Sequence, residues 1–151
     1  MDSIRILKSK NIDINKININ DFDIKYEHRE FYIQSPIFYN YEIINHQNKK
    51  YLELKIDNDR ITHMKFLTFL DTLELKINKE GNKNIKTQII TDIQNKKSIK
   101  VKFLEGEKYT TIFDKEKKIV DTLISPKISL LINIEYYKMY YSITAIQILQ
   151  L

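Results

Sequence analysis

Hydrophobic and polar positions alternate most regularly near the C-terminal end. Ile128, Leu130, Ile132 and Ile134 are interleaved with Ser129, Leu131, Asn133 and Glu135, the period of a strand with one buried face. The aromatic and basic stretch Tyr136-Tyr137-Lys138-Met139 reads as a turn, and Tyr140 to Leu149 as the returning strand. A hairpin this apolar does not stand alone in water, so it predicts a sheet or barrel that the pair completes.

The same period recurs upstream. Leu52, Leu54 and Ile56 alternate with Tyr51, Glu53 and Lys55, and Ile99, Val101 and Phe103 alternate with Lys100 and Lys102. Glu30 to Gln34 reads as a strand ended by Ser35-Pro36, because proline cannot donate into a ladder. Ile37 to Ile44 reads as a second short extended piece, and Tyr109 to Phe113 returns after a turn at 105–108. One segment has helical spacing. Asp57-Asn58-Asp59 is a helix-start signal, and Ile61, Met64, Leu67, Leu70, Leu73 and Ile77 follow it. We expect a helix over about 61–75, although Leu73-Glu74-Leu75-Lys76-Ile77 also alternates like a strand. Residues 1–27 scatter Ile12, Ile14, Ile17 and Ile19 among Asn and Asp, which compete for backbone hydrogen bonds; they read as an irregular leader that adds at most short edge strands.

Six to nine strands and one helix predict a mainly β chain. The leading expectation is a single small β-barrel of oligonucleotide-binding type with one intercalated α-helix, and a β-sandwich is the alternative. Gly and Pro occur only twice each, so no internal linker is expected and residues 28–151 form one domain. The chain has no cysteine, which excludes disulfides and thiol chemistry. It has no apolar run of membrane-span length and no signal-peptide layout at its start. The expectation is an intracellular protein with no membrane partner.

The net charge of +5 is unevenly spread. Residues 96–118 carry eight lysines against four acids, whereas residues 1–95 are nearly balanced. A local basic field favours polyanions, though a solvated lysine-rich hairpin would look the same. The abundance of Ile, Lys, Asn and Tyr is also what an AT-rich genome produces, so lysine and tyrosine counts alone carry no functional weight.

No catalytic motif is present. His28, His46 and His63 are far apart and share no ligand spacing with carboxylates, so we expect no metal, no cofactor and no small-molecule substrate. His63 reads as a surface or capping residue, Asp71 as a surface carboxylate, and Asp57 to Asp59 as a cap rather than half a cation site. Binding single strands needs cations along phosphates and aromatic faces under bases. Lys100 and Lys102 share one strand face, as do Tyr51 and Lys55. Lys108 and Tyr109 stand at a hairpin end, and Tyr137 and Lys138 in the final turn. These eight are the expected nucleic-acid-binding residues, each weighed against ordinary partial burial of a tyrosine or solvation of a lysine.

The order of Phe31-Tyr32-Ile33-Gln34-Ser35-Pro36, then His63-Met64-Lys65-Phe66-Leu67-Thr68-Phe69-Leu70-Asp71, a lysine-rich hairpin, and Tyr141-Ser142-Ile143-Thr144-Ala145-Ile146-Gln147-Ile148-Leu149 resembles a family of small proteins of the nucleocytoplasmic large DNA viruses. Those are similar to phage-type single-stranded-DNA-binding proteins, whose oligonucleotide-binding barrel ends in a Val/Ile-Gln-Ile/Val strand. The resemblance implies a non-enzymatic, sequence-nonspecific binder of single-stranded DNA or RNA in viral replication or genome handling. It would act in the host cytoplasm or viral factory, with packaging in the virion a further expectation. The chain departs from that type in lacking tryptophan and an acidic tail, and in having Met139-Tyr140 where the type has a glycine. From another class, the same Ile- and Tyr-rich strands would suit a structural or protein-interaction module, including a homodimer edge.

Overall fold

A computed structural model of the chain describes residues 4–81, 84–105, 109–138 and 140–151. The C-terminal hairpin is its spine. Strand β11 (Ile128–Tyr137) pairs antiparallel with β12 (Tyr140–Gln150) along nearly their whole length, with one register shift between Leu131 and Ile132. As the alternation predicts, Ile128, Leu130, Ile132 and Ile134 are buried.

The other strands attach on both sides. Strand β4 (Phe31–Gln34) pairs antiparallel with β11, and β1 (Arg5–Lys8) lies parallel outside it. On the other side, β8 (Lys97–Phe103) runs parallel to β12, meeting it at Thr144–Lys102 and Ala145–Phe103. β6 (Lys49–Lys55) pairs antiparallel with β8, and β5 (Tyr41–His46) closes that flank against β6. The short β7 (Ile89–Thr91) joins β8, and β9 (Thr111–Phe113) joins β12 with β10 (Ile119–Val120) beside it. A separate ribbon is formed by β2 (Ile17–Ile19) and β3 (Ile24–Tyr26).

The main sheet runs β1-β4-β11-β12-β8-β6-β5. The chain is therefore mainly β with one helix, but the expected closed barrel is not found: among the described residues β1 and β5 end the path and do not pair. Nor do two comparable sheets face each other, as the sandwich alternative requires, since the second sheet has two strands. The segment read as an irregular leader contributes β1, β2, β3 and two 3₁₀ turns, and Ile17, Ile24 and Tyr26 belong to the buried core.

Helix α1 (Ile61–Gly81) covers one face of the sheet. Phe66, Leu70, Leu73 and Ile77 are buried in one cluster with Leu52, Leu54, Ile99, Val101, Ile132, Ile134 and Ile143. The ambiguous stretch at 73–77 is helical. A strand would bury Leu75 beside Leu73, whereas Leu75 is 66% exposed and Glu74 is buried. The helix runs on to Gly81, past the expected end. A Cβ there would stand 2.5 Å from Tyr136 Oη, so glycine is what lets the two approach. None of the helices among the described residues is long and apolar enough to cross a membrane.

Two buried polar side chains tie the helix in place. His63 is 1% exposed, not a surface residue. Its Nδ1 accepts the Asp57 N–H at 3.0 Å and its Nε2 donates to the Ile37 carbonyl at 2.7 Å. Its ring packs on Phe38, with centroids 4.8 Å apart. The Asp57 carboxylate accepts from the Asp59 N–H and from Arg60 Nε, which explains the helix-start signal: Asp57 shapes the turn before the helix. Deeper in, Glu74 accepts the Gln88 N–H at 2.9 Å, the Tyr141 hydroxyl at 2.9 Å and the Thr87 hydroxyl.

Candidate nucleic-acid interface

Alternation along β6 and β8 sends Leu52, Leu54, Ile99 and Val101 toward α1 and their neighbours to the opposite face. The register places Tyr51 across from Lys102 and Glu53 across from Lys100. That face is continued by β12, where Thr144 lies beside Lys102. N-terminal to Thr144 the two parallel strands are no longer paired, and a cleft of about 560 Å³ opens there. Its walls come from the β5–β6 turn, β8, the start of β12, and the segment at 86–88. The turn is tight: Gln47 and Asn48 both have positive φ, the geometry of a two-residue hairpin loop.

Five lysines and one glutamate line this cleft: Lys49, Lys50, Lys86, Lys100, Lys102 and Glu105. Lys50 is ion-paired with Glu105 at 2.9 Å. Lys100 and Lys102 make no ion pair among the described residues. Lys100 Nζ sits 4.5 Å from the Tyr51 ring centroid, a cation–π distance. Lys102 Nζ donates to the Tyr140 hydroxyl at 2.6 Å and lies 5.2 Å from its ring centroid. Burial pushes the Tyr140 hydroxyl's pKa up, but hydrogen bonds with Lys102 and Ser142 and the Lys102 charge outweigh it, so the net shift is downward. The cleft thus holds two unneutralised ammonium groups against two tyrosine rings, with Tyr140 48% exposed.

Of the eight expected binding residues, Tyr51, Lys100 and Lys102 meet in this cleft. Tyr137 and Lys138 stand apart at the β11–β12 turn, where Tyr137 is tilted against Phe22 and Lys138 Nζ lies 5.4 Å from the Tyr137 ring centroid. Tyr137 faces a neighbouring cleft of about 360 Å³ lined by Asp23, Glu30 and Glu135 against the single cation Lys25, a balance that disfavours phosphate. Lys55 lies at the far end of β6, engaged by Glu53 at 3.3 Å and Glu42 at 3.9 Å. Tyr109 is exposed and outside the cleft. Lys108 lies outside the described residues.

Sequence reasoning missed Lys50, Lys86 and Tyr140. Tyr140 could have been found by folding the final hairpin on paper, which sets it opposite Tyr137. Lys50 ends a polar stretch at 45–50 that carries no hydrophobic alternation, and Lys86 lies in a segment with no periodicity. Phe38, within the short extended piece expected at 37–44, is fully buried. Among the described residues no group of three or more His, Asp or Glu could hold a metal ion. No known family model, curated protein or solved structure matches the chain.

Proposed function

We propose that the cleft between β6, β8 and β12 binds single-stranded nucleic acid without sequence preference. The observation that carries this reading is the juxtaposition of Lys100 and Lys102, without carboxylate partners among the described residues, with the half-buried ring of Tyr51 and the exposed ring of Tyr140. Ammonium groups neutralise phosphates and release counterions, while the rings offer π-faces to bases. The reading assigns no bond-making chemistry to the cleft. The resemblance to large-DNA-virus relatives of phage-type single-strand binders, and with it an oligonucleotide-binding type of sheet and a role in viral genome handling, belongs to this proposal.

The test is fluorescence anisotropy of a labelled poly-dT oligonucleotide with the purified chain at low and moderate salt. Binding that weakens steeply with salt and is much poorer for duplex supports the reading. No binding at low salt overturns it.

A second reading, a protein-interaction module, is favoured by a different observation. Ile6, Phe113, Leu131 and Leu149 line an apolar groove of about 280 Å³ between β1 and β12, and among the described residues β1 and β5 leave unpaired edges that can accept another strand. Sedimentation of the free chain separates the readings: a defined oligomer that ignores oligonucleotide favours the second.

A further inference from the structure

A second cation-lined cavity, of about 480 Å³, lies where the first turns of α1 meet the end of β1 and the chain following β4. Three lysines converge on it from two parts of the chain: Lys8 at the end of β1, Lys10 in the 3₁₀ turn that follows, and Lys65 on α1. Among the described residues no carboxylate lines it. Among the described residues, none of the three makes an ion pair, in contrast to Arg5, Lys25, Lys50, Lys55, Arg60 and Lys76. Like charges around one cavity repel, and a bound anion removes that repulsion. Polar groups are also free to join in: the side chains of Gln34 and Thr62 line the cavity and make no hydrogen bond among the described residues.

The rest of the wall is apolar. Pro36, Ile37, Tyr39 and Ile61 face the cavity, and Ile37 and Ile61 are 39% and 71% exposed. Arg60, already paired with Asp57 at 3.1 Å, is stacked 3.6 Å from the Tyr39 ring centroid. A lone inorganic anion would use the lysines and leave the apolar wall wet. A ligand with a short chain of phosphates and a flat, weakly polar body would use both.

We propose that this cavity binds a nucleoside diphosphate or triphosphate. Lys8, Lys10 and Lys65 hold the phosphates as point charges, and the base lies against Pro36, Ile37, Tyr39 and Ile61. The site is separate from the β6–β8–β12 cleft and shares no lining residue with it. It goes beyond the sequence expectation, which included no small-molecule ligand.

The test is isothermal titration of the full chain with adenosine diphosphate and with inorganic pyrophosphate. We expect both to bind, the nucleotide more tightly by about tenfold because only it covers the apolar wall. Lys65→Glu and Lys10→Glu should each weaken nucleotide binding by at least about tenfold by reversing a charge beside the phosphates. Both variants should melt with the wild type, since these side chains are exposed. Lys115→Glu, at an exposed lysine that lines neither cavity, should leave nucleotide affinity within about twofold, as expected for a distant exposed charge. Absence of binding at millimolar nucleotide overturns the proposal. Equal affinity for pyrophosphate overturns the seat for the base. Equal losses in Lys65→Glu and Lys115→Glu reduce the effect to net charge and overturn the site.

Discussion

Tyr140 and Tyr141 are neighbours on β12 and occupy opposite worlds. Tyr141 points toward α1, is buried, and donates its hydroxyl to Glu74. Burial, then the Glu74 charge and hydrogen bond, holds its proton to well above the ordinary tyrosine value of 10.0. Tyr140 points to the open face, is half exposed, and accepts from Lys102, which draws its pKa downward. On the buried side a single carboxylate is surrounded by three donors from two places in the chain, residues 87–88 and β12, so its charge is answered within the fold. On the open side Lys100 and Lys102 lean on rings and make no ion pair among the described residues. A charge answered by the protein serves the fold, because leaving any partner unpaired in low dielectric is costly. A charge left unanswered beside water contributes little to stability and is available to a ligand.

The largest expected effect is on the buried side. Glu74→Ala leaves the Tyr141 hydroxyl, the Gln88 N–H and the Thr87 hydroxyl without their acceptor, and should cost about 3–5 kcal/mol of stability in urea unfolding. Oligonucleotide affinity of the folded fraction should not change. A loss of affinity without a loss of stability would reverse the assignment of the two sides.

On the open side, Tyr51→Ala and Tyr140→Ala should each weaken poly-dT binding by about 1–3 kcal/mol, the worth of a base–aromatic stack. Each should move the unfolding midpoint little. Equal weakening of duplex binding would show that the rings do not stack on bases.

Tyr141→Phe gives a smaller effect with a distinctive pH dependence. The folded chain holds this phenolic proton more tightly than the unfolded chain does. The resulting stability is complete below about pH 10 and is lost as pH rises through the raised folded value. Wild type should therefore lose stability relative to Tyr141→Phe as pH rises above about 10, and at neutral pH the variant should be less stable by about 1 kcal/mol for the lost hydrogen bond. Parallel profiles in melting experiments would show that Tyr141 is not the buried, Glu74-bound group. The smallest effect is expected at Lys55. Already engaged by Glu53 and Glu42, it should change both stability and poly-dT affinity by no more than about 0.5 kcal/mol when replaced by alanine.

Much of the sheet could be read from period alone. The alternation of Ile99 and Val101 with Lys100 and Lys102 survives in β8, as does that of the final hairpin. The two-fold period also set Tyr51 outward beside Lys55, but that it shares a face with Lys100 and Lys102 follows only from the pairing of β6 with β8. What could not be read was non-local. β1 pairs parallel with β4 across more than twenty residues of chain, and no local pattern marks such a partnership. Ile17, Ile24 and Tyr26 lie among Asn and Asp yet are buried, because tertiary packing overrides local propensity. Glu74 looked like the outward residue of an alternating stretch, and only the donors brought by 87–88 and β12 make its burial tolerable. The cleft depends on where β12 parts from β8 and on Lys86, which the hydrophobic pattern does not encode. His63 seals the chain before the helix against the carbonyl of Ile37, a contact invisible without the fold.

The measurement that bears most directly on this division is the salt dependence of poly-dT binding for wild type and for the Lys100→Ala, Lys102→Ala double variant. Each phosphate neutralised contributes about −0.7 to the slope of log K against log salt for a single strand, so losing two should flatten the slope by about 1.4. Stability should stay within about 0.5 kcal/mol of wild type. An unchanged slope with unchanged affinity would contradict the account, and the open face would then have to be assigned to a partner other than nucleic acid.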